Sequence, residues 1–436
     1  MLTLNDNAGW CWYQNERAIL LNGKLIFGSC ASAPGAGGAE RAGNIELTQY
    51  DFASGGIVRT VLHERLEEDD HNVPALYVRQ DGRVVAMYTK HSSDGLKRYR
   101  ISERPGDITA MRPEQTMQGP ASGVCYSNVY RMADEGGRLY DFHRSIGANP
   151  NYNVSDDDGL TWRYGGRLLN WPKPTAADPK YTGMDGARPY ARYAGDGRAS
   201  VHVFVTEDHP RAYDNSVYHG IVRGGQILAS DGTPLGPLSR TQETAIKPTD
   251  LTCVYGGDAD HVAWCTDIRL DPAGLPYVAF SVQHGDGKFR TDGTAGGEDL
   301  RYYYGRFDGK TWHVHPLAYA GHRLYAREND YSGLVALHPY RSDVVYLSTS
   351  SDPATGDPLI SRSDGNRHYE LYRGVTADGG RSWTFTALTS DSTVDNLRPI
   401  VPPGDPSRTV VLWCRGKLET YTQYDLQAVM IEDAFA

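Results

Sequence analysis

The chain has 436 residues and a formal net charge of −10, with no block of lysines and arginines, so a nucleic-acid partner is not expected. No run of eighteen apolar residues occurs, so a membrane partner is not expected either. Six cysteines are too sparse to build a disulfide scaffold, and 48 Gly, 24 Pro and 29 Tyr favour a turn-rich, strand-rich globule with a large hydrophobic core.

The opening MLTLNDNAGW has neither a basic n-region nor an apolar h-region. The expectation is a cytoplasmic protein, or a secreted or periplasmic one whose signal has been removed. The acidity leaves room for an anionic substrate, because charges are screened beyond about 8 Å at physiological salt. Such a substrate needs a locally basic pocket.

Seven hairpins follow one another along the chain. They begin at Arg17 (RAILLNGKLIFGSC), His71 (HNVPALYVRQDGRVVAMYTKH), Tyr126 (YSNVYRMADEGGRLYDFHR), Arg188, His261, Tyr331 and Asn396, at intervals of 54 to 73 residues. Each crosses an apolar strand, turns on Gly, Pro or Asp, and returns. Strand-like pieces between them, such as GNIELTQYDF and RYYYGRFDGKTW, supply two further strands per unit. The expected fold is therefore all-β: one domain over residues 1–436, a seven-bladed β-propeller of four-stranded antiparallel blades.

SDDDGLTW (155–162) and TADGGRSW (376–383) fit the Asp-box pattern S/T-x-D-x-G-x-T/S-W, and FDGKTW (307–312) is a weaker echo. Asp158 or Asp378 is expected to bind turn amides, glycine to allow positive φ, and tryptophan to pack between blades. The boxes resemble those of neuraminidase-repeat propellers.

Equivalent hairpin ends converge on one face of a propeller. Centring the second hairpin on Asp81 places His71 opposite His91, and centring the third near Glu135 places Tyr126 opposite Arg144. Arg17 and Arg188 occupy the matching starts on either side. Two imidazoles, a phenol and a guanidinium form no carboxylate pair of the kind ordinary glycosidases use. They suit removal of a proton α to a carboxylate, as in β-elimination across a 4-linked uronic acid. Arg144 would neutralise the carboxylate, and Tyr126, with a pKa lowered by nearby cations, would serve as base and acid, His71 being the alternative.

GWCWYQNERAILLNGKLIFGS, DDHNVPALYVRQDGRVVAMYTKHS, YSNVYRMADEGGRLYDFHR, TEDHPRAYDNSVYH and DNLRPIVP resemble the family that includes the ulvan lyases of polysaccharide lyase families 24 and 25, family 25 above all. The resemblance implies a propeller that cleaves ulvan, a sulfated rhamnose–uronate polymer, by β-elimination without a catalytic cofactor. It implies that Tyr126 is the catalytic tyrosine, Arg144 the carboxylate-neutralising arginine, and His71 and His91 the paired active-site histidines. Arg188, Tyr190, His209 and Asn215 fall in matching segments and are candidates for substrate contact, as is Arg17. The GG of ADEGGR lengthens the Tyr126–Arg144 interval, and the pairing survives if the extra residues sit in the turn. The anionic partner would contain rhamnose and glucuronate or iduronate.

CVYGGDADHVAWC brings Cys253, His261 and Cys265 together, with His284 across the fifth hairpin. These four would suit a tetrahedral structural Zn2+, or equally be two buried cysteines beside a surface histidine. An exo-sialidase or rhamnosidase-type hydrolase and a carbohydrate-binding propeller are the rival readings. The sialidase needs an arginine triad, which NERAIL matches poorly at Arg17.

Overall fold

The computed structural model describes residues 1–184, 186–285, 297–326 and 328–434. Seven antiparallel sheets follow one another along the chain and constitute a seven-bladed β-propeller. Blade I comprises Ala18–Leu21, Lys24–Cys30, Ile45–Asp51 and Ile57–His63; blade II comprises Ala75–Val78, Val84–Tyr88, Leu96–Arg104 and Gln115–Gln118. Blade III is Val129–Met132, Arg138–Arg144, Pro150–Ser155 and Arg163–Arg167, and blade IV begins with Ala191–Gly195, Ser200–Thr206, Val217–Arg223 and Gln226–Ala229. Blade V is His261–Leu270, Pro276–His284, Leu300–Phe307 and Trp312–Gly321; blade VI is Val335–Leu337, Val344–Thr349, Glu370–Val375 and Thr384–Ala387. Blade VII takes Asp395–Ile400, Val410–Thr420 and Gln423–Glu432, and is completed by the N-terminal strand Leu2–Asn5 against Gln423–Glu432.

All seven sequence-derived hairpins are the first two strands of a blade. The four-stranded plan is exceeded twice: Asp107–Met111 joins blade II, and Pro234–Pro237 and Thr252–Tyr255 join blade IV. The only α-helix among the described residues is Gly38–Arg41, and no helix is long and apolar enough to cross a membrane.

The chain divides into two compact units. The first is Met1–Ile146, Asn151–Gly166 and Ile400–Ala436. Its core joins blades I and II through Ile19, Ile26, Leu47, Leu76 and Ala86, and blades II and III through Ala75, Val85, Tyr99, Val129 and Leu139. Fully burying such a side chain stabilises by about 1.5–3 kcal/mol, which is how inter-blade contacts hold a fold with almost no helix. The second unit is Gly147–Pro150 and Arg167–Pro399, and its core includes Tyr277, Tyr302, Tyr304, Val345 and Leu347.

Turn chemistry follows the sequence closely. Asn22 and Gly23 both have positive φ (52° and 74°), the requirement of a two-residue hairpin turn. In the second Asp box, Asp378 accepts from Ser382 N at 2.9 Å, and Trp383 stands edge-on to Tyr304 of blade V at 5.3 Å. The first box corrects the expectation for Asp158. Asp157 makes the turn, accepting from Thr161 N at 2.9 Å. Asp158 faces blade II instead, where its carboxylate accepts from Tyr77 Oη at 2.9 Å and Gln80 N at 2.8 Å. Asp157 is the third residue of the pattern, so its carboxylate reaches back into the turn, whereas Asp158 has φ 57° and turns outward.

Candidate active site

Blade II pairs Ala75 with Met87 and Val78 with Val84, the register that sets His71 opposite His91. His71 lies in the 3-10 turn Asp70–Asn72, capped by Asp69, whose side chain accepts from His71 N at 2.9 Å. The two imidazoles stack face to face, with centroids 3.9 Å apart and planes within 8°. One carboxylate bridges them: Asp69 Oδ1 is 2.7 Å from His71 Nδ1, and Asp69 Oδ2 is 2.8 Å from His91 Nδ1. With both Nδ1 atoms engaged, the Nε2 atoms are left for chemistry. Tyr421 stands edge-on to both rings, at 5.2 and 5.7 Å.

Two stacked imidazoles cannot both carry charge cheaply, and their surroundings split them. Burial disfavours the charged form of each. At His71 the neighbouring Cys11, Asp69, Tyr126 and Asp70 outweigh burial and hold the pKa well above the usual value. At His91 burial and the charge on His71 prevail, pushing it down to about 4. Burial would raise Asp69, but the charge and hydrogen bonds of the two histidines hold it below the ordinary carboxylate range. Near neutrality the pair is one imidazolium, His71, and one neutral imidazole, His91.

In blade III the ladder pairs Val129 with Asp141, then slips by one residue, so that Cys125 pairs with Arg144. Tyr126 sits at this slip with φ 70°, a left-handed conformation costing a non-glycine residue about 1–3 kcal/mol. The expected register is thus off by one: Cys125, not Tyr126, is the backbone partner of Arg144, and the Tyr126 and Arg144 side chains meet across the bulge. The Arg144 guanidinium carbon lies 4.8 Å from the Tyr126 ring centroid, and the Tyr126 ring is 5.9 Å from that of His71. The strained backbone is held from beneath. Lys97 Nζ donates to Tyr126 O at 3.1 Å and pairs with Asp141, both side chains being fully buried.

Residues 9–17 explain why two blades converge here. Cys11 N donates to Asp70 O at 2.9 Å, and Gln14 Nε2 donates to His71 O. Asn15 N donates to Ser127 O at 3.2 Å, so this buried segment bridges the open ends of both hairpins. Tyr13 packs 5.4 Å from Tyr126. Arg17, a candidate for substrate contact, is buried, and its Nη1 donates to Cys11 O at 2.9 Å, which ties this segment down.

The remaining candidates for substrate contact belong to the second unit. Tyr190, His209 and Trp264 form a compact aromatic group, with His209 centroids 5.5 Å from Tyr190 and 5.1 Å from Trp264. Asp208 shapes their loop, accepting from Arg188 N at 2.9 Å and His209 N at 2.7 Å. Asn215 is fully buried and braces the same loop, its Nδ2 donating to Asp208 O at 2.7 Å.

The expected metal set does not assemble. His261 does face His284, but four residues along a strand separate it from Cys265 by about 13 Å. Cys265 Sγ approaches Tyr190 O at 3.2 Å, Cys253 is exposed on Thr252–Tyr255, His261 Nδ1 meets Asp258 at 3.0 Å, and His284 Nε2 meets Tyr303 Oη at 3.2 Å. Among the described residues, the His, Cys and carboxylate groups close enough to share an ion are Cys11, Asp70 and His71, and Asp69, His71 and His91. Both triads contain His71, and in the second Asp69 already joins the two imidazoles.

The blades and their Asp-box turns define a repeat propeller, and the chain belongs to the BNR repeat-containing family, whose model matches residues 12–320. No curated protein sequence matches it. Its fold is similar to that of a polysaccharide lyase of family PL25, an ulvan lyase, in two solved structures. One, bound to -[GlcA(1-4)Rha3S]-, is 13% identical with a TM-score of 0.68. The other is 14% identical with a TM-score of 0.69. Each comparison covers 99% of this chain and 95% of the lyase.

Proposed function

We propose that this protein is a polysaccharide lyase that cleaves a uronate-containing, sulfated polysaccharide of the ulvan class by β-elimination. The observation that carries the reading is the gathering of His71, His91, Tyr126 and Arg144 from two hairpins into one cluster. The likeness of fold to an ulvan lyase supports it, as does that lyase's bound glucuronate–rhamnose sugar.

Arg144 pairs with the uronate carboxylate, drawing charge from C5 and making its proton removable. Tyr126, as the phenolate, takes that proton and becomes the neutral phenol. The C5–H electron pair forms the C4–C5 double bond as the C4–O4 bond breaks, and the phenol returns its proton to the leaving O4 and is again the phenolate. Arg144 and the His71 imidazolium, both close to the Tyr126 ring, supply the positive charge that favours its phenolate before the proton is taken and after it is returned. His91, neutral and oriented by Asp69, offers an acceptor to the sugar. Hydrolysis fits less well. The carboxylates at the cluster are Asp69 and Asp70, buried against His71, and Glu67, engaged by His91 N at 2.7 Å and Asn72 Nδ2 at 3.1 Å, rather than an acid and a base set on either side of a bond.

The test is incubation with ulvan while following the ultraviolet absorbance of the unsaturated uronate. Absorbance rises with wild type and stays flat with Tyr126→Phe. Release of new reducing ends with no absorbance change would refute elimination.

A further inference from the structure

A second site lies in the second unit, on the outer strands of blades V and VI. Here Tyr319, Trp383 and Phe385 line an open groove of about 290 Å3 together with Arg301 and Arg381 and with no acidic side chain. Each aromatic residue is only partly buried, with Trp383 and Phe385 backed by the core cluster of this unit. The groove is therefore a fixed apolar floor rather than a loose surface.

The charge is also preset. Arg301 is held by Asp299 at 2.7 Å, and its guanidinium carbon lies 4.7 Å from the Tyr319 ring centroid. Arg381 is exposed and has no ion-pair partner among the described residues. It belongs to the Asp-box turn, but that turn's carboxylate is occupied: Asp378 accepts from Thr376 Oγ1 at 2.9 Å and from Ser382 Oγ at 2.7 Å. Arg381 also borders a neighbouring groove of about 350 Å3 lined by Arg306, His313 and His315 and by the carboxylates Asp308, paired with His313 at 2.8 Å, and Asp378, engaged in its own turn. A guanidinium thus stands at the junction of two furrows, beside aromatic faces, on a chain of net charge −10.

We propose that this groove is a non-catalytic binding site for an anionic oligosaccharide, whose sugar rings lie on Trp383 and along the edge of Tyr319, its ring covered by Arg301, and whose sulfate or carboxylate meets Arg381. Aromatic faces take the C–H faces of sugars, and arginine offers a planar fork matched to both anions. The groove follows from its own residues; the class of sugar rests on the lyase reading above. Such a site would keep the enzyme on its polymer between cleavage events.

The experiment is titration calorimetry of the full chain carrying Tyr126→Phe and Arg144→Ala, so that the candidate active site is disabled. The probes are a sulfated glucuronate–rhamnose oligosaccharide and its desulfated, carboxyl-reduced counterpart. The parent should bind the anionic probe and not the neutral one. Adding Arg381→Glu or Tyr319→Ala should weaken binding by about tenfold or more. Arg381 is exposed, so its replacement should leave the fold intact, which a thermal melt checks. Unchanged binding in both variants, or no binding by the parent, would overturn the proposal. Cleavage by wild type is read separately. Groove binding without cleavage would count against the lyase reading alone, and cleavage without groove binding against this site alone.

Discussion

Replacing Asp69 by Asn tests the bridge between the imidazoles. The carboxylate accepts from both Nδ1 atoms, at 2.7 and 2.8 Å. An amide of the same shape has one acceptor and one donor. His71 N donates to the Oδ1 position and Asp70 Oδ1 lies 2.9 Å from His71 Nδ1, so His71 keeps its Nδ1–H; the amide N–H then meets neutral His91, which must carry its proton on Nε2, the atom left for chemistry. The analogous change in a serine-protease triad costs about 10^4 in kcat through the wrong tautomer. With one of two imidazoles affected, we expect a loss of about 10^2–10^4 in kcat with little change in KM. Removing one charge-assisted hydrogen bond from a buried site should lower stability by about 1.5–3 kcal/mol. Lyase kinetics with denaturant melts give both quantities, and 15N chemical shifts of the histidines report the tautomer. Wild-type kcat, or two histidines still protonated on Nδ1, would refute the bridging role.

Tyr126→Phe should lower elimination by at least about 10^3 while leaving the melting transition in place, since the ring and its packing are kept. Arg144→Ala should cost about 2.7–4 kcal/mol in kcat/KM, the loss typical of one transition-state donor. Lys97→Met leaves Asp141 charged and buried, and should destabilise by about 3–5 kcal/mol in a urea melt. Activity should fall on the acid side as His91 takes a proton near pH 4, and on the alkaline side as His71 loses its own, well above the usual imidazole range. Stability carries opposite signs for the two. His71 holds its proton more tightly when folded, so its contribution is full below about pH 6.5 and fades as pH rises through the folded value. His91 holds its proton less tightly, so stability drops as pH falls from about 6.5 towards 4.

The blades were legible because each hairpin carries its own register. The alternation of VPALYV and VVAMYT around QDGR fixes which residues face each other, and the structure pairs them accordingly. Tyr126 and Arg144 were legible as partners, but not the bulge between them, because a positive φ at tyrosine leaves no mark in composition. Asp69 stood two residues before His71 and escaped notice, since its role exists only once both imidazoles are stacked. Tyr13 and Tyr421 reach the site from the segment before blade I and from a turn in blade VII, contacts that no local pattern encodes. The cysteine–histidine set is close in sequence but not in space, because strand rise keeps His261 and Cys265 apart.

The most direct measurement is cleavage of ulvan in water enriched in heavy oxygen, with mass analysis of the fragments. Elimination breaks the C4–O4 bond without adding water, so the account predicts unsaturated fragments that carry no heavy oxygen and that disappear with Tyr126→Phe. Saturated fragments bearing heavy oxygen at the new reducing end would contradict it.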